Sequence, residues 1–363
     1  MLYNKRYANW FIDYPKNLNK KWGLNAIMSE DIGIDLGTAN IIIYIKGKGI
    51  VLREPSIIAV NKDTNEVIAV GDEANKMLGR TPNNIEVIKP LKDGVISNFT
   101  LTAKMIKHYI KKVSKKSFFA PRIMICVPSQ ITEVEKRAVL DVAMQSGAKR
   151  VYLIEEPVAA AIGAGIDITK PSGNLVIDIG GGTTDVAVIS MNSAVMSTSI
   201  KFAGNRIDET IIRYFKKRHR ILIGEKTAQH IKKTIGCAYP RVENIGMKAR
   251  GRNLTNGLPA EIEISSEELM KPIVNDCMRI VEAVKSTIEK TPPELVEDIS
   301  NKGIYMTGGG SLLHGIDKLI QKNTGIKVTV ADDAISCVAI GTGKALNNLD
   351  LLDEKNKKQK TDN

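Results

Sequence analysis

Two stretches of the chain place an aspartate, a glycine turn and a threonine between two apolar strands. Residues 176–190 read VIDIGGGTTDVAVIS, and residues 32–45 read IGIDLGTANIIIYI. Glycine lets backbone N–H groups approach a phosphate closely, and threonine hydroxyls add donors. An aspartate there can hold Mg²⁺ through water, because Mg²⁺ keeps much of its hydration shell. The pair predicts two phosphate-binding turns, with Asp35 and Asp178 facing the magnesium.

A third glycine cluster follows later in the chain, within the stretch GIYMTGGGSLLHGI at residues 303–316. It predicts an apolar strand, a small-residue turn at Thr307–Ser311 and then a helix. Small residues would let a nucleoside lie flat against the backbone, and a helix N-terminus favours phosphate.

Two better-known glycine motifs do not fit. GGGTTD lacks the spacing of the dinucleotide-binding fingerprint, and a strand follows it instead of a helix. GTGKA at residues 341–345 is similar to a P-loop, but Val338 stands where the first glycine belongs and Ala345 where Ser or Thr belongs. We interpret GTGKA as helix packing. A single Asp-x-Gly-Thr is weak evidence for a site, and the repeated pattern is much stronger.

The elements that must position these turns alternate between strands and helices. Hairpins are predicted at DIGIDLGTANIIIYI and at SIIAVN with VIAVG, a buried strand at RIMICVP, and a strand at RVYLIEEP followed by a helix at VAAAIGAG. Further helices are predicted at residues 101–113, 131–146, 205–219, 225–235, 266–290 and 311–322. This alternation indicates an α/β fold, and the repeated hairpin indicates a duplicated α/β unit.

Length and composition set the broad class. A chain of 363 residues predicts two domains, because single cores stop growing near roughly 250–300 residues. Hydrophobic residues at 43% and charged residues at 25% are typical of a soluble globular protein, and aromatics at 5% leave the cores to Ile, Val, Leu and Ala. No signal peptide or membrane-spanning run is evident. The four dispersed cysteines are interpreted as free thiols in a reducing cytoplasm.

The net charge of +12 lies partly in short lysine and arginine runs, such as those at 111–116, 216–218 and 355–360. Such runs are either solvated faces or contacts with nucleic acid, anionic lipid or nucleotide. No zinc-finger or RNP signature accompanies them, so no specific nucleic-acid partner is predicted.

The N-terminal extension, residues 1–29, differs from the rest. Its aromatic residues recur at helical spacing up to Pro15 and include Trp10 and Phe11. The pattern suits an amphipathic helix at a membrane interface. The alternatives are a disordered tail or a start site placed too far upstream of Met28. Residues 350–363 are predicted to be a disordered tail.

On these motifs the chain resembles the superfamily of actin, Hsp70 and the sugar kinases, and more narrowly the MreB family of bacterial actins. The resemblance extends from about Asp31 to about Leu349. It rests on DIGIDLGTAN, GKGIVLREPS, the segment Pro121–Pro128, IEEPVAAAIG, DIGGGTTDVAVIS, TPPELVEDI and TGGGSLL. An Hsp70 would share only the patterns around EPVAAA and DIGGGTTD.

The resemblance implies a duplicated actin-like, ribonuclease H-like α/β fold, with two lobes and four subdomains around a cleft for ATP. The first lobe would span residues 30–157 with a small subdomain at about 52–98. The second would span 158–330 with a small subdomain at about 205–265. Residues 331–349 would form a C-terminal helix that returns to the first lobe.

The resemblance also implies roles for individual residues. Glu156 would orient the attacking water, with Thr183 and Asp185 as further catalytic residues, while Asp35 and Asp178 would bind Mg²⁺ through water. The residues implied to bind ATP or ADP are Gly37, Thr38, Ala39, Asn40, Gly180, Gly181, Gly182, Thr183, Gly204, Lys226, Gln229, Gly308, Gly309, Gly310 and Ser311.

Two residues depart from the usual pattern of the family. Asp185 stands where the family usually has Glu, and a side chain one methylene shorter is expected to slow hydrolysis without abolishing it. Gln229 stands where the family has a ribose-contacting Glu. Its amide can still bond a hydroxyl, so nucleotide binding is expected to persist.

The expected partners are a membrane and the protein itself. Phe118 and Phe119 follow a lysine run, which suits an anionic bilayer unless both rings fold into the core. Together with Trp10 and Phe11 they would supply the two weak anchors that stable attachment needs. The resemblance implies slow ATP hydrolysis and head-to-tail filaments on the cytoplasmic, inner face of the cell membrane, serving cell shape or motility, with other cell-shape or cytoskeletal proteins as further partners.

Three rival functions follow from the same residues. A sugar or acetate kinase would need a second substrate pocket, and an Hsp70-like chaperone would need a substrate-binding domain after the nucleotide domain. A nucleic-acid-binding module is suggested by the charge alone and would show only salt-sensitive, nonspecific retention.

Overall fold

The computed structural model of the chain describes residues 30–114 and 119–349, which form two compact units. The first unit comprises the described residues up to Asp167 and those from Ser336 onward, and the second is Ile168–Ile335. The extension 1–29, the tail 350–363 and Phe118 lie outside the described residues. Within the described ranges, no helix is long and apolar enough to cross a membrane.

The first unit alternates strands and helices as the sequence predicts. Its elements up to Asp167 are β1 (Asp31–Leu36), β2 (Asn40–Ile45), β3 (Gly49–Pro55), β4 (Ile58–Asn61), β5 (Val67–Val70), α1 (Asp72–Met77), β6 (Ile85–Ile88), β7 (Leu91–Lys92), β8 (Val95–Ile96), α2 (Phe99–Val113), β9 (Arg122–Val127), α3 (Glu133–Gln145), β10 (Arg150–Glu155) and α4 (Glu156–Gly163). The two predicted hairpins are confirmed, because β1 pairs antiparallel with β2 and β4 pairs antiparallel with β5.

The main sheet of the first unit has the strand order β10-β9-β1-β2-β3. Strand β1 runs antiparallel to β2 and parallel to β9, while β9 runs parallel to β10. Parallel strands end at the same edge of a sheet, so this register brings the ends of β1, β9 and β10 together. Residues 58–96 form two smaller sheets, β5-β4-β6 and β7-β8.

Local capping fixes where the helices of this unit begin. Asn98 accepts a hydrogen bond from the Leu101 amide at 3.0 Å, which starts α2 at Phe99. Thr132 and Glu135 form a capping box, so α3 begins at Glu133, slightly later than the hydrophobic pattern predicts. Side-chain caps satisfy amide groups that the first helical turn leaves without partners.

The second unit contains β11 (Asn174–Ile179), β12 (Thr184–Ser190), β13 (Ser193–Ile200), α5 (Gly204–Tyr214), β14 (Ile221–Leu222), α6 (Glu225–Thr234), β15 (Gly246–Asn253), β16 (Pro259–Ser265), α7 (Ser266–Glu289), α8 (Pro293–Lys302), β17 (Ile304–Thr307), α9 (Ile316–Thr324) and β18 (Val328–Val330). Its main sheet has the order β13-β12-β11-β17-β18, and β14-β15-β16 form a smaller sheet. Strand β11 runs antiparallel to β12 and parallel to β17.

The two main sheets have the same plan. In each, a three-stranded antiparallel meander continues through its first strand into two parallel strands. The predicted duplication of an α/β unit is therefore confirmed at the level of topology. Both cores consist mainly of Ile, Val, Leu and Ala, as the low aromatic content predicts.

Two helix predictions need correction. The helix predicted at residues 311–322 begins only at Ile316, because Gly309–Leu312 form a 3₁₀ turn and Gly315 adopts a left-handed φ of 74°. The helix predicted at residues 205–219 is α-helical only to Tyr214 and continues as a π-helical turn at Phe215–His219.

The last helix, α10 (Cys337–Ala345), belongs to the first unit and contains the GTGKA stretch. A Cβ on Gly341 would overlap the Ala159 carbonyl of α4, and one on Gly163 of α4 would overlap the Cys337 carbonyl. A Cβ on Gly343 would overlap the Tyr44 ring of β2. The interpretation of GTGKA as helix packing is confirmed, since these glycines allow close backbone approach.

Candidate functional site

The first glycine turn joins β1 to β2. Asp35 is the penultimate residue of β1, and Leu36 pairs with Ile41 across the hairpin. Only Gly37, Thr38 and Ala39 lie between the strands, so the chain reverses tightly. A Cβ on Gly37 would lie 2.7 Å from the Asn40 carbonyl oxygen, so this position requires glycine.

Two segments outside the hairpin hold this turn in place. The Ser56 hydroxyl donates to the Gly37 carbonyl at 2.5 Å, and the Ser56 amide donates to the Ala39 carbonyl at 3.0 Å. The Gly94 amide, between β7 and β8, donates to the Thr38 hydroxyl oxygen at 2.9 Å. Because that oxygen serves as an acceptor, the hydroxyl hydrogen of Thr38 can be donated to a phosphate oxygen.

The carboxyl of Asp35 lies at the edge where β1 and β9 end. Cys126 Sγ lies 3.5 Å from Asp35 Oδ1. Burial raises the pKa of Asp35 to about 6, and the hydrogen bond from Cys126 opposes this only in part. Burial disfavours the charged form of a carboxyl, and a nearby cation would restore it. A carboxylate is also a ligand that Mg²⁺ prefers, so this position fits the implied metal.

Glu156 follows β10 directly and is the first residue of α4. It is half-buried. Burial raises the pKa of the Cys126 thiol far above its ordinary value, and the charges of Asp35 and then Glu156 add to the increase. The structure therefore brings Asp35, Cys126 and Glu156 into one electrostatic cluster, of which sequence reasoning identified the two acids.

The second glycine turn, Gly180–Thr183, joins β11 to β12 and is one residue longer than the first. The Gly180 amide donates to the Thr183 carbonyl at 2.9 Å and closes the turn. Asp178 is buried and accepts a hydrogen bond from Thr307 Oγ1 at 2.8 Å. Its cross-strand neighbour is Asp185, which is fully buried.

Helix α5 supports the second turn through its first two backbone amides. The Gly204 amide donates to the Gly180 carbonyl at 3.2 Å, and the Asn205 amide donates to the Gly181 carbonyl at 2.8 Å. Gly204, which the resemblance implied as a nucleotide-binding residue, thus contacts the turn itself. These bonds orient the turn so that its carbonyls face the helix.

Lys232 of α6 is a residue that sequence reasoning missed. Its ammonium donates to the Gly204 carbonyl at 2.7 Å and to Asp208 Oδ2 at 2.9 Å. The implied nucleotide-binding residues Lys226 and Gln229 lie on the same helix and are exposed. The available signal was helical spacing, since Lys232 comes one turn after Gln229.

The third glycine cluster packs against the end of β11. Gly308 has a φ of 80°, and a Cβ there would lie 2.8 Å from Asp178 Oδ1 and would overlap the Ile179 carbonyl oxygen. A Cβ on Gly310 would overlap the Ile179 side chain, whereas Gly309 is exposed and its Cβ would meet nothing closer than 4.0 Å. The Ser311 hydroxyl donates to the Gly308 carbonyl at 2.6 Å and closes the turn.

Leu312 is a second residue that sequence reasoning missed. It is 56% exposed in the 3₁₀ turn beside Gly309, whereas Leu313 is buried. Adjacent leucines of opposite exposure cannot be told apart in sequence. An exposed leucine next to exposed backbone offers a flat apolar surface for an aromatic ring.

The remaining predicted residues are placed as follows. Thr38 and Thr183 are buried, Ala39 is half-buried and Asn40 is exposed, while Gly180 and Gly181 are half-buried and Gly182 is buried. Phe119 is half-buried, and Trp10, Phe11 and Phe118 lie outside the described residues. The four cysteines are free, as predicted, and all four are buried. In the described part of the chain, no three His, Cys, Asp or Glu side chains form a metal-binding group.

Comparison with known folds defines the class of the protein. The filament-forming chain described as the MamK double helical filament superimposes with a TM-score of 0.74 over 88% of this chain and 99% of its own, at 20% identity. The crystal structure of MreB 5 of Spiroplasma citri bound to AMPPNP gives a TM-score of 0.86 over 90% of this chain and 99% of its own, at 39% identity. The predicted actin-like fold is confirmed, and the protein is a bacterial actin.

Sequence comparison narrows the class to a family. The family profile described as MreB/Mbl protein matches residues 29–354. The cell shape-determining protein Mbl of Bacillus cereus is 50% identical over 327 residues, covering 90% of this chain and 98% of its own. The cell shape-determining protein MreB of Escherichia coli is 49% identical over 331 residues, covering 90% and 95%. The chain belongs to the MreB/Mbl family.

Proposed function

We propose that the protein is a bacterial actin that binds ATP and ADP with Mg²⁺, hydrolyses ATP slowly and assembles into filaments. The filaments would lie at the cytoplasmic face of the cell membrane and serve cell shape or motility. The observation that carries this proposal is the repeated aspartate–glycine–threonine turn at the same position of two equivalent sheets.

Nucleotide binding is supported by the groups that each turn presents. Thr38 can donate its hydroxyl hydrogen, because its oxygen already accepts from the Gly94 amide. Gly309 exposes a side-chain-free backbone on which the nucleoside would lie, Gly308 lets that turn pack closely against β11, and Leu312 offers an apolar surface for the base. The MreB 5 protein of S. citri was solved with AMPPNP and also with ADP, at 39% and 40% identity to this chain.

Magnesium would neutralise phosphate charge when it is bound. Asp35 and Asp178 would hold its water shell, since both are carboxyls at strand ends. The raised pKa of Asp35 means that its carboxylate gains from a nearby cation.

Hydrolysis would depend on Glu156. It begins α4 directly after β10, so its backbone is fixed by both elements, and Pro157 limits the conformations available to the turn. A carboxylate held there can position a water and accept a proton from it. Thr183 and Asp185 would support the reaction from the second turn, and the shorter Asp185 would make it slow.

Assembly and membrane contact would complete the function. Head-to-tail contacts between copies do not close on themselves and therefore give filaments. Phe119, with Phe118, Trp10 and Phe11, would anchor the filament to an anionic bilayer, and further partners would be cell-shape or cytoskeletal proteins.

The exposed Lys226 and Gln229 on α6 would contact the nucleotide.

The test compares Glu156→Ala with Glu133→Gln, an exposed glutamate at the start of α3. The parent is expected to sediment with ATP and to release phosphate slowly. Glu156→Ala should bind AMPPNP with parental affinity and lose about 100-fold or more of phosphate release, while Glu133→Gln matches the parent. A Glu156→Ala protein that hydrolyses like the parent would exclude Glu156 as the catalytic residue, and a parent without ATP-dependent sedimentation would exclude the filament.

A further inference from the structure

Cys126 lies at the centre of the edge where three parallel strands of the first unit end. Strand β9 is flanked by β1 on one side and by β10 on the other. The register pairs Cys126 with Ile154 of β10, and Cys126 Sγ lies 3.5 Å from Asp35 Oδ1 of β1. The thiol is 3% exposed, so water competes little for this contact.

The second unit has a hydroxyl at the equivalent position. Strand β17 runs parallel beside β11, just as β9 runs parallel beside β1. Thr307 of β17 pairs with Asp178 of β11 in the register. Thr307 Oγ1 donates to Asp178 Oδ1 at 2.8 Å. In both units, therefore, a donor from the neighbouring parallel strand bonds the aspartate that precedes the glycine turn.

We propose that Cys126 is a positioning residue for Asp35. The thiol of Cys126 donates a hydrogen bond to Asp35 Oδ1 and fixes the plane of the carboxylate. The terminal torsion of an aspartate is broad, so an Asp side chain without such a donor samples many orientations. This proposal rests on the proposed nucleotide function, in which Asp35 faces the water shell of magnesium.

The chemistry of the thiol suits this role. A thiol is a weak donor, whereas a hydroxyl is a strong one. Either group can orient the carboxylate through one hydrogen bond, so a hydroxyl at this position is expected to replace the thiol. The charge of Glu156 also acts on the Cys126 thiol, so the thiol belongs to the same electrostatic cluster as the proposed catalytic acid.

The first test is spectroscopic and uses the full chain without nucleotide. The infrared S–H stretching band that disappears in Cys126→Ala is assigned to Cys126, and Cys277→Ala, which removes a buried thiol of α7, serves as the control. Asp35→Asn is expected to shift the Cys126 band to higher frequency, because an amide oxygen accepts a weaker bond than a carboxylate. A band that stays in place would overturn the proposal.

The second test measures AMPPNP binding by calorimetry over a range of Mg²⁺ concentrations. Cys126→Ala is expected to raise the Mg²⁺ concentration for half-maximal binding by about two- to fivefold, and Cys126→Ser is expected to restore it, since both effects follow from one hydrogen bond. Affinity without Mg²⁺ should be unchanged. If the thiol only fills space, the parent, Cys126→Ala and Cys126→Ser would show the same Mg²⁺ dependence, or Cys126→Ser would be as impaired as Cys126→Ala. Either result overturns the proposal.

The two tests separate this proposal from the proposed function. If the parent binds no AMPPNP at any Mg²⁺ concentration, the proposed function fails, and positioning for a nucleotide fails with it. The spectroscopic result still decides whether the thiol bonds Asp35.

Discussion

The turn after β1 and the turn after β11 occupy the same position in sheets of the same strand order, yet they are supported differently. The first has three residues and is held by Ser56 and Gly94, which come from later segments of its own unit. The second has four residues, and the first amides of α5 hold its carbonyls. Duplication has preserved the backbone path, while the supporting contacts have diverged.

The aspartates that precede the two turns, Asp35 and Asp178, also differ in their surroundings. Asp35 is bonded by a thiol and lies opposite Ile42, whereas Asp178 is bonded by a hydroxyl and lies opposite Asp185. The first acid therefore has an apolar neighbour and a weak donor, and the second has a polar neighbour and a strong donor. Equivalent backbone positions need not give equivalent electrostatics, because side chains of neighbouring strands determine the surroundings.

The largest expected effect comes from Gly308→Ala. Gly308, which follows Thr307 in the second unit, has a φ of 80° and packs against Ile179. The residue at the equivalent position of the first unit, after Cys126, is Val127. Strain and overlap together should lower the free energy of unfolding by about 2–4 kcal/mol. Urea denaturation measures this effect. Gly309→Ala, at an open position, is expected to have a free energy of unfolding within about 0.5 kcal/mol of that of the parent. Equal losses in the two variants would show that Gly308 is no more constrained than Gly309.

The next effect is a pH dependence of Asp35→Asn. Because burial raises the pKa of Asp35 from 3.8 to about 6, the folded protein binds this proton more tightly than the unfolded chain. Stability without nucleotide therefore falls as the pH rises from about 4 to about 6, and it stays lower above that window. Asp35→Asn should be more stable than the parent by up to about 3 kcal/mol at pH 8.

The control for Asp35→Asn is the parent measured over the same pH series. The gain in the free energy of unfolding should shrink towards zero below pH 4, where both states of the parent are protonated. A gain that is the same at pH 4 and pH 8 would show that Asp35 is not a desolvated carboxylate.

A smaller effect is expected for Thr307→Val, which keeps the side-chain shape and removes the hydroxyl that bonds Asp178. Loss of a hydrogen bond to a buried carboxylate should cost about 2 kcal/mol. Thermal denaturation checks this, and Thr307→Ser, which keeps the hydroxyl, is the matched control. If Val is as stable as the parent and only Ser loses stability, the methyl group rather than the hydrogen bond is what matters at Thr307.

The smallest effect is expected for Ser56→Ala, which removes one of the bonds that hold the first turn. The hydroxyl of Ser56 is buried and donates to the Gly37 carbonyl, so its loss should cost about 1 kcal/mol. Thr255→Ala, in the exposed turn between β15 and β16, should be nearly neutral in the same denaturation experiment. Equal stability of the two variants would mean that the turn does not depend on Ser56.

Much of the fold could be predicted because its signals are local. Apolar alternation and turn residues predicted the hairpins β1–β2 and β4–β5, and the repeat predicted the duplication. The start of α9 was missed because Gly315, in a left-handed conformation, separates a 3₁₀ turn from the helix. Glycine permits that conformation but also permits many others, so the sequence alone does not reveal it.

The residues of the candidate site fall into two groups, those that local sequence motifs revealed and those that only the fold revealed. Asp35, Asp178 and the glycines were identified because they lie together in short motifs. Cys126 and Lys232 were missed because their partners are far away in sequence: Cys126 contacts Asp35, and Lys232 contacts Gly204 and Asp208. Strand order and helix packing create these contacts.

The sequence by itself determined the strands, the glycine turns and the acids at their edges, because backbone conformation depends chiefly on neighbouring residues. Only the tertiary structure decided which donor each acid receives: a thiol for Asp35 and a hydroxyl for Asp178. The reason is physical, since burial and hydrogen bonding depend on side chains brought together across a sheet, and these set the charge that each acid can offer.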